Sequence, residues 1–103
     1  MPIYQTAHYA IQPQGIDEVR AAIDEFVDYV TKNESGTRLY TSWQQADDPT
    51  KFVHLFIFED EAAHRAHGES AAVREFEAAY SPYLSAGPVV FTDYAQVASN
   101  QHS

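Results

Sequence analysis

Residues 51–59 read "KFVHLFIFE", and this stretch decides the fold. Successive side chains of an extended chain leave on opposite faces, so Phe52, Phe56 and Phe58 take one face and Val53, Leu55 and Ile57 the other. Both faces are apolar. Such a strand needs cover on two sides.

Upstream, "TRLYTSWQQ" (37–45) is a second strand-like run, joined to the first by "ADDPT", whose Asp and Pro are turn residues. The pair reads as a β-hairpin. Further upstream, "IYQTAHYAI" (3–11) is rich in β-branched and aromatic residues and closes at "QPQG". Between these strands the period changes. Ile16, Val19, Ile23, Phe26, Val27 and Val30 recur at steps of three and four, with Asp17, Glu18, Arg20, Asp24, Glu25 and Asp28 opposite them. This is an amphipathic helix, stopped by "NESG".

Downstream of the hairpin, Glu59, Asp60 and Glu61 open a second helix that Gly68 interrupts. It resumes near Ser70, turns Val73, Phe76, Tyr80 and Leu84 inward and ends at "SAGP". The last strand is "VVFTDYAQV" (89–97), and residues 99–103 read as a frayed tail. The order β-α-β-β-α-β predicts a single α+β domain over residues 1–103. Its fold is the ferredoxin-like split βαβ, a four-stranded antiparallel sheet with both helices on one face. Two helices cover one side of a sheet. The other apolar face therefore predicts a homodimer, sheet against sheet.

With 15 acidic residues against six Lys plus Arg, the formal charge of -9 repels nucleic acid and anionic membrane surfaces. No cysteine is present to serve as thiolate or zinc ligand. No segment approaches the ~20 apolar residues of a membrane span, and no Gly-rich phosphate loop suggests a nucleotide cofactor. A soluble cytoplasmic protein is the expectation.

Five histidines are the candidate chemistry. In "EAAHRAHGES" (61–70), Glu61, His64 and His67 follow at steps of three. A Glu-x-x-His motif serves di-iron bundles only when repeated on facing helices, and no second copy occurs here. The helical phase turns Ala62, Ala63 and Ala66 inward, sets His67 at the flank and sends His64 toward solvent. No metal is expected. His8 and His54 lie mid-strand, His102 in the tail. Trp43 shares a strand face with Leu39 and Thr41, opposite Tyr40, and reads either as a sheet-face contact or as a stacking platform. Tyr80 and Tyr83 either hydrogen-bond a phenolic ligand or cap the core.

The run "GTRLY", the "DDP" hairpin, the apolar strand leading into "EDEAA", and His67, Ser70 and Phe76 at the following spacings together resemble the antibiotic biosynthesis monooxygenase family. The resemblance implies a dimeric α/β barrel, with the terminal strand bridging subunits through Val89, Phe91 and Val97. It implies a pocket between sheet and helices where an electron-rich aromatic, a quinol or anthrone, is oxidised by molecular oxygen with neither flavin nor metal. On this reading His67 or His8 is the base, and Trp43, His54, Phe56, Phe58 and Tyr80 bind substrate. Asp93 and Glu77 are the weaker candidates for a base. There are departures. Many members carry Glu and Trp on the third strand where this chain has Phe56 and Phe58. The haem-degrading branch uses Asn, Trp and His where His8, His67 and Glu77 stand, which argues against that chemistry. The alternative is a non-catalytic dimeric binding module on the same fold.

Overall fold

A computed structural model describes residues 1–100. In chain order the elements are β1 (Ile3–Ala10), a 3-10 turn (Pro13–Gly15), α1 (Ile16–Asn33), β2 (Thr37–Gln44), β3 (Lys51–Phe58), α2 (Glu61–Glu69), α3 (Ala71–Tyr80), a second 3-10 turn (Ser81–Tyr83) and β4 (Val90–Tyr94). The sheet runs β2-β3-β1-β4, with every neighbouring pair antiparallel. This is the α+β, ferredoxin-like arrangement expected, with β3 inside the sheet.

On β3 the alternation resolves as expected: Phe52, His54, Phe56 and Phe58 are buried under the helices, and Val53, Leu55 and Ile57 are half-buried on the other face. Full burial of Phe58 stabilises the fold by about 1.5–3 kcal/mol. α1 buries Val19, Ile23, Phe26 and Val30, one stripe of the periodicity. It packs against α3 through Phe26 and Phe76, whose rings stack with centroids 5.0 Å apart. Tyr9 of β1 stacks between Phe52 at 5.6 Å and Tyr80 at 5.2 Å, tying sheet to helix. The β2–β3 turn is held by Asp48, whose Oδ1 accepts from the Thr50 hydroxyl (2.6 Å) and backbone N–H (3.1 Å).

The second helical segment is two helices, and the break falls at Ser70 rather than Gly68. Ser70 is extended (φ -69°, ψ 149°) and its hydroxyl accepts from Val73 N–H, capping α3. Gly68 stays helical, with a negative φ. Asp60 caps α2 in the same way, accepting from Ala63 N–H at 2.9 Å. These caps satisfy donors that a helix start leaves open.

The last strand is shorter than the expected 89–97. Tyr94 pairs with Tyr4, and β1 begins one residue earlier at Ile3, so residues 95–97 find almost no strand to pair with. Alternation also corrects the assignment of its faces. Phe91 pairs with Ala7 on the helix side, and Val89 packs against the buried cluster there. The helix-free face carries Val90 and Tyr94 instead, with Trp43 on the opposite edge strand, all more than half exposed. The tail expected over 99–103 lies in part outside the described residues, as does His102. Among the described residues no helix is long and apolar enough to cross a membrane.

Candidate functional site

Between the helix side of the sheet and helices α1 to α3 lies a cavity of about 330 Å³. Its wall is aromatic and imidazole: Tyr9, Tyr40, His54 and Phe56 from the sheet, Phe26, Phe76 and Tyr80 from α1 and α3, and His64 and His67 from α2. Two polar assemblies break the apolar lining.

The first centres on His54, which is 1% exposed. Its Nε2 is 2.7 Å from the Tyr9 hydroxyl and its Nδ1 is 2.8 Å from the Tyr40 hydroxyl. β3 lies between β1 and β2, so one β3 side chain meets a tyrosine from each neighbour. Burial pushes the His54 pKa down to about 4, and burial pushes both tyrosines well above the ordinary phenol value. All three groups are neutral at pH 7. Tyr80, also mostly buried, is raised to about 12 by burial and then by Glu77.

The second assembly is His67 and Glu34. His67 Nδ1 lies 2.7 Å from Glu34 Oε1, and the two side chains are 12% and 10% exposed. Thr37 donates its hydroxyl to the same carboxylate oxygen at 2.8 Å. Glu34 Oε2 is buried with no hydrogen-bond partner among the described residues. A carboxylate on Nδ1 holds the proton there and leaves Nε2 as the free acceptor. The His67 ring sits among Phe58 at 5.0 Å, Phe26 at 5.5 Å and Tyr40 at 5.7 Å, which fix its plane.

Two local features bring this pair together. Gly36, just after α1, lies so close to α2 that a Cβ there would come within 2.6 Å of the Ala63 Cβ. Any larger residue would push α2, and His67 with it, away from Glu34. A register shift between Thr37 and Leu39 then lets two residues at odd separation share the helix side. Thr37 pairs with Phe58 and Tyr40 with Phe56. A bulge of this kind re-aims side chains next to a site.

Of the residues singled out from sequence, His67, His54, Phe56 and Tyr80 line the cavity. Phe58 stands behind the wall, fully buried against the rings of His64 and His67. His8 and Trp43 are not brought there. They border a separate, shallow groove on the helix-free face, where His8 Nε2 is 3.1 Å from the Thr6 hydroxyl. Glu77 lines the cavity from its exposed rim, and Asp93 accepts from the Gln5 amide at 2.8 Å near the mouth. Tyr83 donates to Glu18 instead, away from the cavity.

The α2 phase differs from expectation. Ala62 and Ala66 face solvent, while Ala63, His64 and His67 turn inward. Both histidines thus meet at Phe58, though among the described residues no group of three or more His, Asp or Glu could hold a metal ion. Glu34, Tyr9 and Tyr40 were not singled out as site residues. Glu34 had a signal: a carboxylate closing a helix opposes the helix dipole, a local cost that often marks function. The tyrosines had none short of strand register.

The sequence profile described as antibiotic biosynthesis monooxygenase matches residues 2–79, and the chain belongs to that family. Solved structures agree in fold. A Bacteroides thetaiotaomicron protein bearing the same family name superposes with a TM-score of 0.88 at 16% identity, covering 99% of this chain and 95% of its own. A Mycobacterium tuberculosis protein superposes with 0.84 at 23% identity, covering 98% and 100%. No curated protein matches the sequence significantly.

Proposed function

We propose that the protein is a cofactor-independent monooxygenase that oxidises a small aromatic, a quinol or anthrone, with molecular oxygen. The observation that carries this reading is His67 in the wall of an aromatic cavity with Glu34 bonded to its Nδ1. Glu34 orients the ring and His67 Nε2 takes the proton from a substrate hydroxyl or activated carbon. The resulting anion is electron-rich enough to pass one electron to oxygen, and the two radicals combine to form a C–O bond. One oxygen atom stays on the ring and the other leaves as water. Substrate supplies all the electrons, so no external reductant enters. The dry aromatic wall excludes solvent from the radical pair.

His54 is unsuited to the role of base. Its pKa is pushed down to about 4 by burial, and both ring nitrogens are already engaged by phenols. His8 lies on the helix-free face, and His64, though in the same wall, has no carboxylate beside it among the described residues, so the base is His67, whose ring Glu34 orients.

The working unit in this reading is a homodimer. Trp43 and Val90 border one groove on the helix-free face, 57% and 56% exposed, and Tyr94 farther along the same face is 53% exposed, apolar surface that suits an interface. A second copy laid sheet against sheet covers it.

The test is oxygen uptake by chelator-treated protein on a panel of quinols and anthrones. The expected result is uptake with one oxygen atom from O₂ in the product, lost in His67→Ala. Absence of uptake across a panel whose members bind the cavity rejects the enzyme reading in favour of a binding module.

A further inference from the structure

The Tyr9–His54–Tyr40 assembly holds one proton more than its internal hydrogen bonds can use. A neutral imidazole carries one N–H and one lone-pair nitrogen. The Tyr9 hydroxyl lies 2.7 Å from one nitrogen and the Tyr40 hydroxyl 2.8 Å from the other. Two O–H groups and one N–H therefore serve two links. Whichever tautomer His54 adopts, one tyrosine donates to it, the other accepts from it, and the accepting tyrosine has its own O–H left over. Ionisation does not relieve the surplus, because burial keeps His54 unprotonated and both phenols protonated. Among the described residues, His54 is the hydrogen-bond partner of each hydroxyl, and both tyrosines line the cavity. A buried polar group without a partner is costly, so an assembly that always leaves one donor over calls for an acceptor in the cavity.

We propose that this assembly is the site's hydrogen-bond donor to a second oxygen of the ligand. The ligand class is then a flat aromatic with two ring oxygens on different sides, one facing His67 and the other accepting from Tyr9 or Tyr40. The proposal rests on the preceding reading for the aromatic nature of the substrate. Geometry supports the division. The Tyr40 ring stands between the two histidines, 5.7 Å from His67 and 5.6 Å from His54 by ring centroids, with Tyr9 beyond His54 at 5.3 Å. Size supports it as well. An apolar cavity of about 150 Å³ holds benzene, and this one is about 330 Å³, room for two fused rings and their oxygens. His54 on this account is a positioning residue: it sets which hydroxyl is free. A tautomer change exchanges the free donor between Tyr9 and Tyr40, so ligands with either spacing of oxygens are served.

The experiment uses 1,4-naphthoquinone, which carries two carbonyl acceptors and does not turn over, with naphthalene as its oxygen-free control. The wild-type protein is expected to bind the quinone at least tenfold more tightly than naphthalene and to shift one carbonyl stretch of the bound quinone to lower frequency. Tyr9→Phe or Tyr40→Phe alone leaves one hydroxyl, free to donate to the ligand when it accepts from the His54 N–H, and should keep a shifted band. The double variant should lose the shift and the tenfold preference while binding naphthalene within about twofold of wild type. An unshifted carbonyl in wild-type protein overturns the proposal without any variant, and so does a double variant that keeps both the shift and the preference. Should the double variant not fold, His54→Leu, which frees both hydroxyls, must still shift a carbonyl band or the proposal fails. Because the readout is binding, it separates from turnover: a shifted carbonyl without oxygen uptake on any quinol rejects the oxygenase reading alone, and uptake with an unshifted carbonyl rejects this proposal alone.

Discussion

Acid should destabilise this protein through one residue, and the size of the effect follows from the burial of His54. The histidine titrates at 6.5 in an unfolded chain and at about 4 in the fold. Above pH 6.5 both states hold it neutral and it costs nothing. Between 6.5 and about 4 the unfolded chain binds a proton that the folded chain refuses, so stability falls by about 1.4 kcal/mol per pH unit. Over a window of about two and a half units the loss is about 3 kcal/mol, a large part of the stability of a domain this size. The control is His54→Gln, whose amide can still accept from one tyrosine and donate to the other but does not titrate. Tyr9 and Tyr40 stay protonated throughout, since both are raised. Urea unfolding at fixed protein concentration, from pH 7.5 down to 4.5, should give wild-type and variant curves that diverge below pH 6.5. The variant should be less acid-sensitive by about 3 kcal/mol at the bottom of the window. Parallel curves would refute the reasoning and mean that His54 takes its proton within the fold at an ordinary pH.

Three further outcomes are expected. His67→Ala should lower kcat on any active quinol or anthrone by about 10² to 10⁴, the usual loss for a general base, and Glu34→Gln should lower it less; oxygen-electrode rates unchanged in both would remove the pair from the mechanism. Light scattering should show a dimer that Trp43→Glu or Val90→Glu dissociates and that Phe91→Glu, on the helix side, leaves intact; a concentration-independent monomer mass for wild type would end the dimer reading. Gly15→Ala should destabilise by about 1–3 kcal/mol, because a Cβ there would collide with the Tyr83 ring. Gly68→Ala, with nothing within 4 Å of the added methyl, should instead stabilise α2 by up to about 1 kcal/mol. Denaturant midpoints that move together would contradict this contrast.

The elements were legible in the residues because each is written in a local period. The two apolar faces of β3, the stripe of α1 and the turn chemistry around Asp48 need no tertiary information. The order of those elements then restricted the topology to one familiar sheet. His67 and His54 could be singled out because their side chains carry chemistry wherever they land. The partners could not. His67 meets Glu34 across 33 residues and His54 meets Tyr9 across 45, distances over which no periodic signal runs. Tyr40 reaches the cavity side together with Thr37 only because the strand shifts register between them. Likewise, the phase of α2 was misread because its start is set by the Asp60 cap and by the approach of Gly36 to Ala63, and a small rotation of a short helix exchanges which of Ala66 and His64 is covered. Strand β4 ends where β1 stops offering a partner, which no property of residues 95–97 announces. Local sequence thus determined the elements and the chemistry available to them. Register, crossover and close backbone approach, which depend on the whole chain packing at once, decided which of those groups share a cavity.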